Sequence, residues 1–151
     1  MDKEQKRVSR YICLQIMYAN EVSNRGKAEE IIKYFNKDLN DIFGDIINSQ
    51  VEFATKLYKV SIDNKEYADN LIKNNLNNWD IARLALIDKL ILRMAISEMF
   101  FIDDVPPKVS IAEGVEIAKV FSTNDSSSFV NGILDAVYNE IYIPDTKDKV
   151  K

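Results

Sequence analysis

Lys3, Lys6, Arg7 and Arg10 stand at i, i+3, i+4 and i+7, so in a helix they share one face. That face turns apolar at Leu14 and Met17, which anchors the later turns in a core and leaves a basic stripe at the start. Four such groups can contact phosphates, and arginine can also stack on bases or read base edges. A plainer reading competes, and spacing alone favours it: a solvated first turn in which Asp2 and Glu4 partner the cations. A second set lies near the other end, where Asn124, Asp125 and three serines precede Phe129. The free N–H groups of a helix start attract phosphate, and an aromatic ring offers an unpaired base a stacking platform. The competing reading, again favoured by spacing alone, is a capped helix with Phe129 in the core. A third set is acidic: Asp88, Glu98, Asp103, Asp104, Glu113 and Glu116. Paired carboxylates can hold a metal or do acid–base work, but these spacings fit no metal loop, and a solvated face is the stronger reading.

Other chemistry is poorly supplied. The chain has no histidine and one cysteine, Cys13, which sits among apolar residues at helical spacing. Without an imidazole to activate it, that thiol reads as buried and inert, and a triad hydrolase or zinc site has no basis. Neither a P-loop nor a G-x-G-x-x-G occurs. The expectation is a protein that is not an enzyme and that needs no cofactor or metal. Its net charge of −4 argues against nucleic-acid binding by the whole surface, while leaving room for a local basic patch.

The elements that must position these residues are helices. Only 4 glycines and 3 prolines interrupt 151 residues, and apolar positions recur at three and four. The pattern predicts a first helix over 4–22, broken at Asn24-Arg25-Gly26, a second near 27–37 and a third over 41–60. A cap-like D-x-x-E at Asp63 opens a fourth, and 74–78 is a polar loop. Asp80 caps a long fifth stretch to Ile102, broken near Asp88, which the prolines at 106 and 107 end. An S-x-x-E box at Ser110 opens a sixth helix to Phe121, and Asp125 or Ser126 caps a seventh to Tyr142. Asn131-Gly132 lies inside that last helix, where glycine costs ~1 kcal/mol relative to alanine; close approach by another helix is the plain explanation. The expected fold is all-α, about seven helices in one compact domain over 1–143, built of two small helical sub-bundles divided near 61–63, with a polar tail at 144–151. The start MDKEQKRVSR is charged and lacks the apolar stretch of a signal peptide, and no apolar run approaches the ~18–20 residues of a membrane span, so a cytoplasmic protein is expected.

Ordered blocks sharpen this. Arg7-Val8-Ser9-Arg10 with Leu14-Gln15-Ile16-Met17-Tyr18, then Trp79, Arg83-Leu84 and Ile87 to Ala95, then Glu98-Met99, Val105-Pro106, Val115 to Phe121, and Ser126 with Phe129-Val130-Asn131-Gly132-Ile133-Leu134-Asp135 follow one another. Together they resemble the NusB family of bacterial transcription antitermination factors; 23–75 match only in helical character. The resemblance implies an all-helical fold of two three-helix sub-bundles. It implies a noncatalytic factor that binds a single-stranded RNA element, boxA, together with NusE, a ribosomal protein of the small subunit. That complex helps RNA polymerase pass terminators, notably in ribosomal RNA synthesis. By the same resemblance RNA contacts fall to Lys6, Arg7 and Arg10, which the spacing of the stripe extends to Lys3, and to Asp125 and Phe129, and the NusE-facing surface to Asp88. Some family members form homodimers. Two other readings stay open: the similar N-terminal module of an RNA cytosine methyltransferase, and a protein-interaction domain without RNA binding. The chain departs from the family pattern at Val8 and Ser9, at Ala112, at Ser122 in place of glycine, and at Ser126-Ser127-Ser128, which carries no basic residue.

Overall fold

A computed structural model of the chain describes residues 1–23, 40–77 and 80–142. Every described element is helical, and no strand occurs among the described residues, so the fold is all-α. The helix expected near 27–37, the break at Asn24 to Gly26, Trp79 and the tail 144–151 lie outside the described residues. The chain divides into two compact units, Met1–Asp63 and Asn64–Lys151.

In the first unit α1 spans Lys3–Ser23. Ile12, Cys13, Leu14, Ile16 and Met17 are buried, a stripe wide enough to hold the helix against a neighbour. Residues 40–43 are helical, and that stretch ends at Gly44, whose φ of +79° a side chain would disfavour. Helix α2, Asn48–Asp63, begins only after that turn, so the single helix expected over 41–60 is in fact two pieces, separated where glycine takes the left-handed conformation. Its buried face is Gln50, Phe53, Ala54, Leu57, Tyr58 and Ser61. The two helices pack together and run parallel: Gln50 reaches Gln5, Phe53 lies under Arg10, and Tyr58 neighbours Cys13. Burial, with Cys13 adding to it, raises the pKa of Tyr58.

In the second unit α3 is Lys65–Asn74, a 3-10 turn is Ile81–Arg83, α4 is Leu86–Phe101, α5 is Pro107–Phe121 and α6 is Asn124–Tyr142. Helix α4 is buried at every position from Leu90 to Met99, as a helix must be when neighbours surround it. It packs on α3, α5 and α6, and α5 packs on α6. A bidentate ion pair fastens α3 to α4: Arg93 Nε meets Asp69 Oδ1 at 2.7 Å and Nη2 meets Oδ2 at 3.0 Å.

Several sequence expectations change here. Asp63 ends α2 instead of opening α3, whose N-cap Asn64 makes no side-chain cap bond. Asp80 does cap, accepting from Ala82 N at 3.1 Å, but it caps the 3-10 turn, and the break before α4 falls at Leu84-Ala85. Helix α5 starts at Pro107, three residues before Ser110, because proline suits the first helical position. Ser110 is buried with its hydroxyl unpartnered, so it caps nothing. Asp88, Glu98 and Glu113 are buried, whereas Asp103 and Asp104 are exposed and Glu116 is half-buried, so the acidic set is a solvated face only in part. The close helix approach lies at Gly114, where a Cβ would meet Leu134 Cδ1 at 3.0 Å and Ala95 Cβ at 3.3 Å. Gly132 has open space where a Cβ would stand.

Candidate nucleic-acid interface

The basic stripe is graded from solvent to core. Lys3 is exposed, Lys6 and Arg7 are half-buried, and Arg10 is only 3% exposed, its guanidinium 5.6 Å from the centre of the Phe53 ring. The helix periodicity does put all four on one side, but that side turns inward between Arg7 and Arg10. The accessible part therefore comes from Lys3, Lys6 and Arg7. Their helix starts with a reciprocal cap that apolar periodicity does not reveal: Gln5 N donates to Asp2 Oδ1 at 2.8 Å, and Asp2 N donates to Gln5 Oε1 at 3.0 Å. The D-x-x-Q pattern is its signal in the sequence. Parallel packing sets the start of α2 beside the start of α1. Two positive helix ends thus join three cations at one end of this unit.

The second unit holds the other set. Helix α6 is capped by Thr123, whose Oγ1 accepts from Ser126 N at 3.0 Å; neither Asp125 nor Ser126 is the cap. The Thr123 hydroxyl donates to Ser126 Oγ at 3.1 Å, and Ser126 Oγ donates to Asp88 Oδ2 at 2.9 Å. Ser122 Oγ donates to Asp88 Oδ1, also at 2.9 Å. Asp88 is 7% exposed, so its carboxylate is a buried acceptor with a hydroxyl on each oxygen. It sits in the first turn of α4, where the helix dipole favours negative charge. Asp88 thereby ties the start of α4 to the junction of α5 and α6. Asp125 is exposed and Phe129 half-buried beside it. These two, with Arg83, Leu84, Ala85, Asp88 and Ser126, line a shallow cleft of about 320 Å³. The cleft offers a ring face, an exposed carboxylate and an exposed guanidinium at Arg83. Ser122 has no visible role in the sequence, and Ser126 reads there as a cap; the Asp88 they both bind gives them their observed one.

No group of histidine, cysteine, aspartate and glutamate among the described residues could hold a metal ion. No described helix is long and apolar enough to cross a membrane.

The family model described as NusB family matches residues 7–139. The chain belongs to the NusB family. It is 43% identical over 136 residues to transcription antitermination protein NusB of Chloroherpeton thalassium, covering 90% of this chain and 62% of that protein. It is 36% identical to the protein of the same name from Syntrophus aciditrophicus, over 91% of this chain and 82% of the relative. Among solved structures, NusB of T. maritima superposes with a TM-score of 0.75 at 29% identity, covering 99% of both chains. A complex of antitermination factors NusB and NusE with double-stranded RNA contains a chain of the same fold, with a TM-score of 0.75 at 20% identity; 92% of this chain and 99% of that chain are covered. Both of these relatives are named as transcription antitermination proteins.

Proposed function

We propose that this chain is a noncatalytic transcription antitermination factor. It binds boxA-type single-stranded RNA together with NusE and acts on RNA polymerase during ribosomal RNA transcription. The observation that carries the reading is the basic end of the first unit. On a body of net charge −4, Lys3, Lys6 and Arg7 gather where two helix starts point the same way. That arrangement suits the phosphates of a flexible strand. Arg10, held over Phe53, supports the stripe from below. Phe129 and Asp125 line the second RNA-contacting surface, with the ring taking an unpaired base.

NusE enters as the basic partner that a weakly basic arm needs. In the structural relative at 20% identity, NusB, NusE and RNA occur together. Asp88 contributes to the NusE-facing side by fixing the junction of α5 and α6, since both of its oxygens already accept hydrogen bonds. If RNA and NusE bind together, each tightens the other by the same factor. A homodimer that covers the arm would compete with both.

The test is a salt titration of boxA-type RNA binding by the full chain and by a Lys6→Ala, Arg7→Ala variant. The variant should bind more weakly, and its log–log salt slope should fall by ~0.7 for each phosphate no longer neutralised. Unchanged affinity and slope would overturn the reading. Adding NusE should raise RNA affinity, and mass measurement with and without both ligands reports whether a dimer dissociates.

A further inference from the structure

Gln50 is a polar side chain only 4% exposed, lying where the two helix starts of the first unit meet. It is not one of the cations, and sequence spacing gives it no role. Its Oε1 accepts from Ile47 N at 2.9 Å, which closes the start of α2. Its Nε2 donates to the backbone carbonyl of Gln5 at 3.1 Å, across 45 residues of sequence. Ser9 Oγ donates to the same carbonyl at 2.9 Å. That carbonyl belongs to the turn that carries Lys3, Lys6 and Arg7, and the same turn is closed on its outer side by the Asp2–Gln5 cap.

A buried amide is costly unless both of its ends are bonded, and an apolar side chain would fill the space without that requirement. What the amide adds is geometry. First helical turns fray, and a turn that must order itself on a ligand loses affinity in doing so. We propose that Gln50 is a positioning residue for RNA binding: it fastens the first turn of α1 to the start of α2, so that Lys3, Lys6 and Arg7 meet the strand as a preformed surface. This inference rests on the reading of that stripe as an RNA contact.

The two claims separate by salt dependence. Removing a cation lowers both affinity and slope. Loosening the turn leaves the number of neutralised phosphates unchanged, so affinity falls while the slope stays. The full chain and a Gln50→Met variant, close to glutamine in size and lacking both bonds, are compared for boxA-type RNA binding over a salt series and for amide hydrogen exchange in residues 3–9. The expected result is faster exchange in those residues, about fivefold weaker binding and an unaltered slope. Gln5→Ala, a neutral change that removes the Asp2 N–Gln5 Oε1 half of the outer cap, loosens the same turn and should give the same pattern; if Gln50→Met does not fold, this variant tests whether a preformed turn matters for binding. Faster exchange with unchanged affinity would overturn the inference, as would affinity and slope falling together. Failure of the Lys6→Ala, Arg7→Ala variant to weaken binding would remove the stripe itself, and the inference with it.

Discussion

The basic end of the first unit and the Asp88 junction of the second use charge in opposite ways. In the first, three cations stay accessible, and the side chain that holds their turn in place is an uncharged amide, Gln50. In the second, the charged group is itself the fastener: Asp88 is buried and accepts from two serines. A charge that keeps a hydration shell is available to a partner. One that has exchanged that shell for two hydroxyl donors is part of the scaffold, because removing it strands those donors. Read from sequence, both kinds look alike as surface charges. Arg10 shows the transition within a single helix, since it continues the stripe of Lys3, Lys6 and Arg7 yet lies over Phe53.

The largest effect that bears on this contrast is at Asp88. Asp88→Lys would place an ammonium where two hydroxyls donate, in a site only 7% exposed. A destabilisation of roughly 3–5 kcal/mol is expected from urea unfolding, in line with other unpaired buried charges. A change below ~0.5 kcal/mol would return Asp88 to the class of open surface charges. A smaller effect is expected from the serines. Ser122→Ala and Ser126→Ala each remove one bond to a carboxylate and should cost about 1–2 kcal/mol. Their combined cost should differ from the sum, since each leaves Asp88 the other donor; simple additivity in a double-mutant cycle would argue that the two oxygens are satisfied independently. The smallest concerns Ser110. If it were a helix cap, Ser110→Ala would cost ~1 kcal/mol. As a buried hydroxyl without a partner, it should change stability by less than ~0.5 kcal/mol or raise it. Thermal unfolding of the single variant distinguishes the two.

Much of the fold was legible. The spacing of Ile12, Leu14, Ile16 and Met17, or of Phe53, Ala54, Leu57 and Tyr58, reports a buried helix face directly. Asp80 was legible as a cap, although what it caps is a 3-10 turn. Boundaries failed where two local signals overlapped. Ser110 belongs to an S-x-x-E pattern, but Pro107 had already started the helix three residues earlier. Gly114 and Gly132 are alike in sequence, each a glycine inside a helix; only the neighbours Leu134 and Ala95 make the first one necessary for packing.

Sequence by itself determined the helices, the absence of metal-ligand and triad patterns, the position of the cations on one helix side and, through the order of its blocks, membership of the NusB family. These follow from a period of 3.6 residues and from residue chemistry, both of which are local. Tertiary structure decided which cations remain accessible, which carboxylate is a fastener and what Gln50, Ser122 and Ser126 do. The reason is range. Periodicity fixes the angle at which a side chain leaves its own helix, but a hydrogen bond from residue 50 to residue 5, or from 122 and 126 to 88, depends on which helix lies across from it. That is a property of the packed chain and of no single window of its sequence.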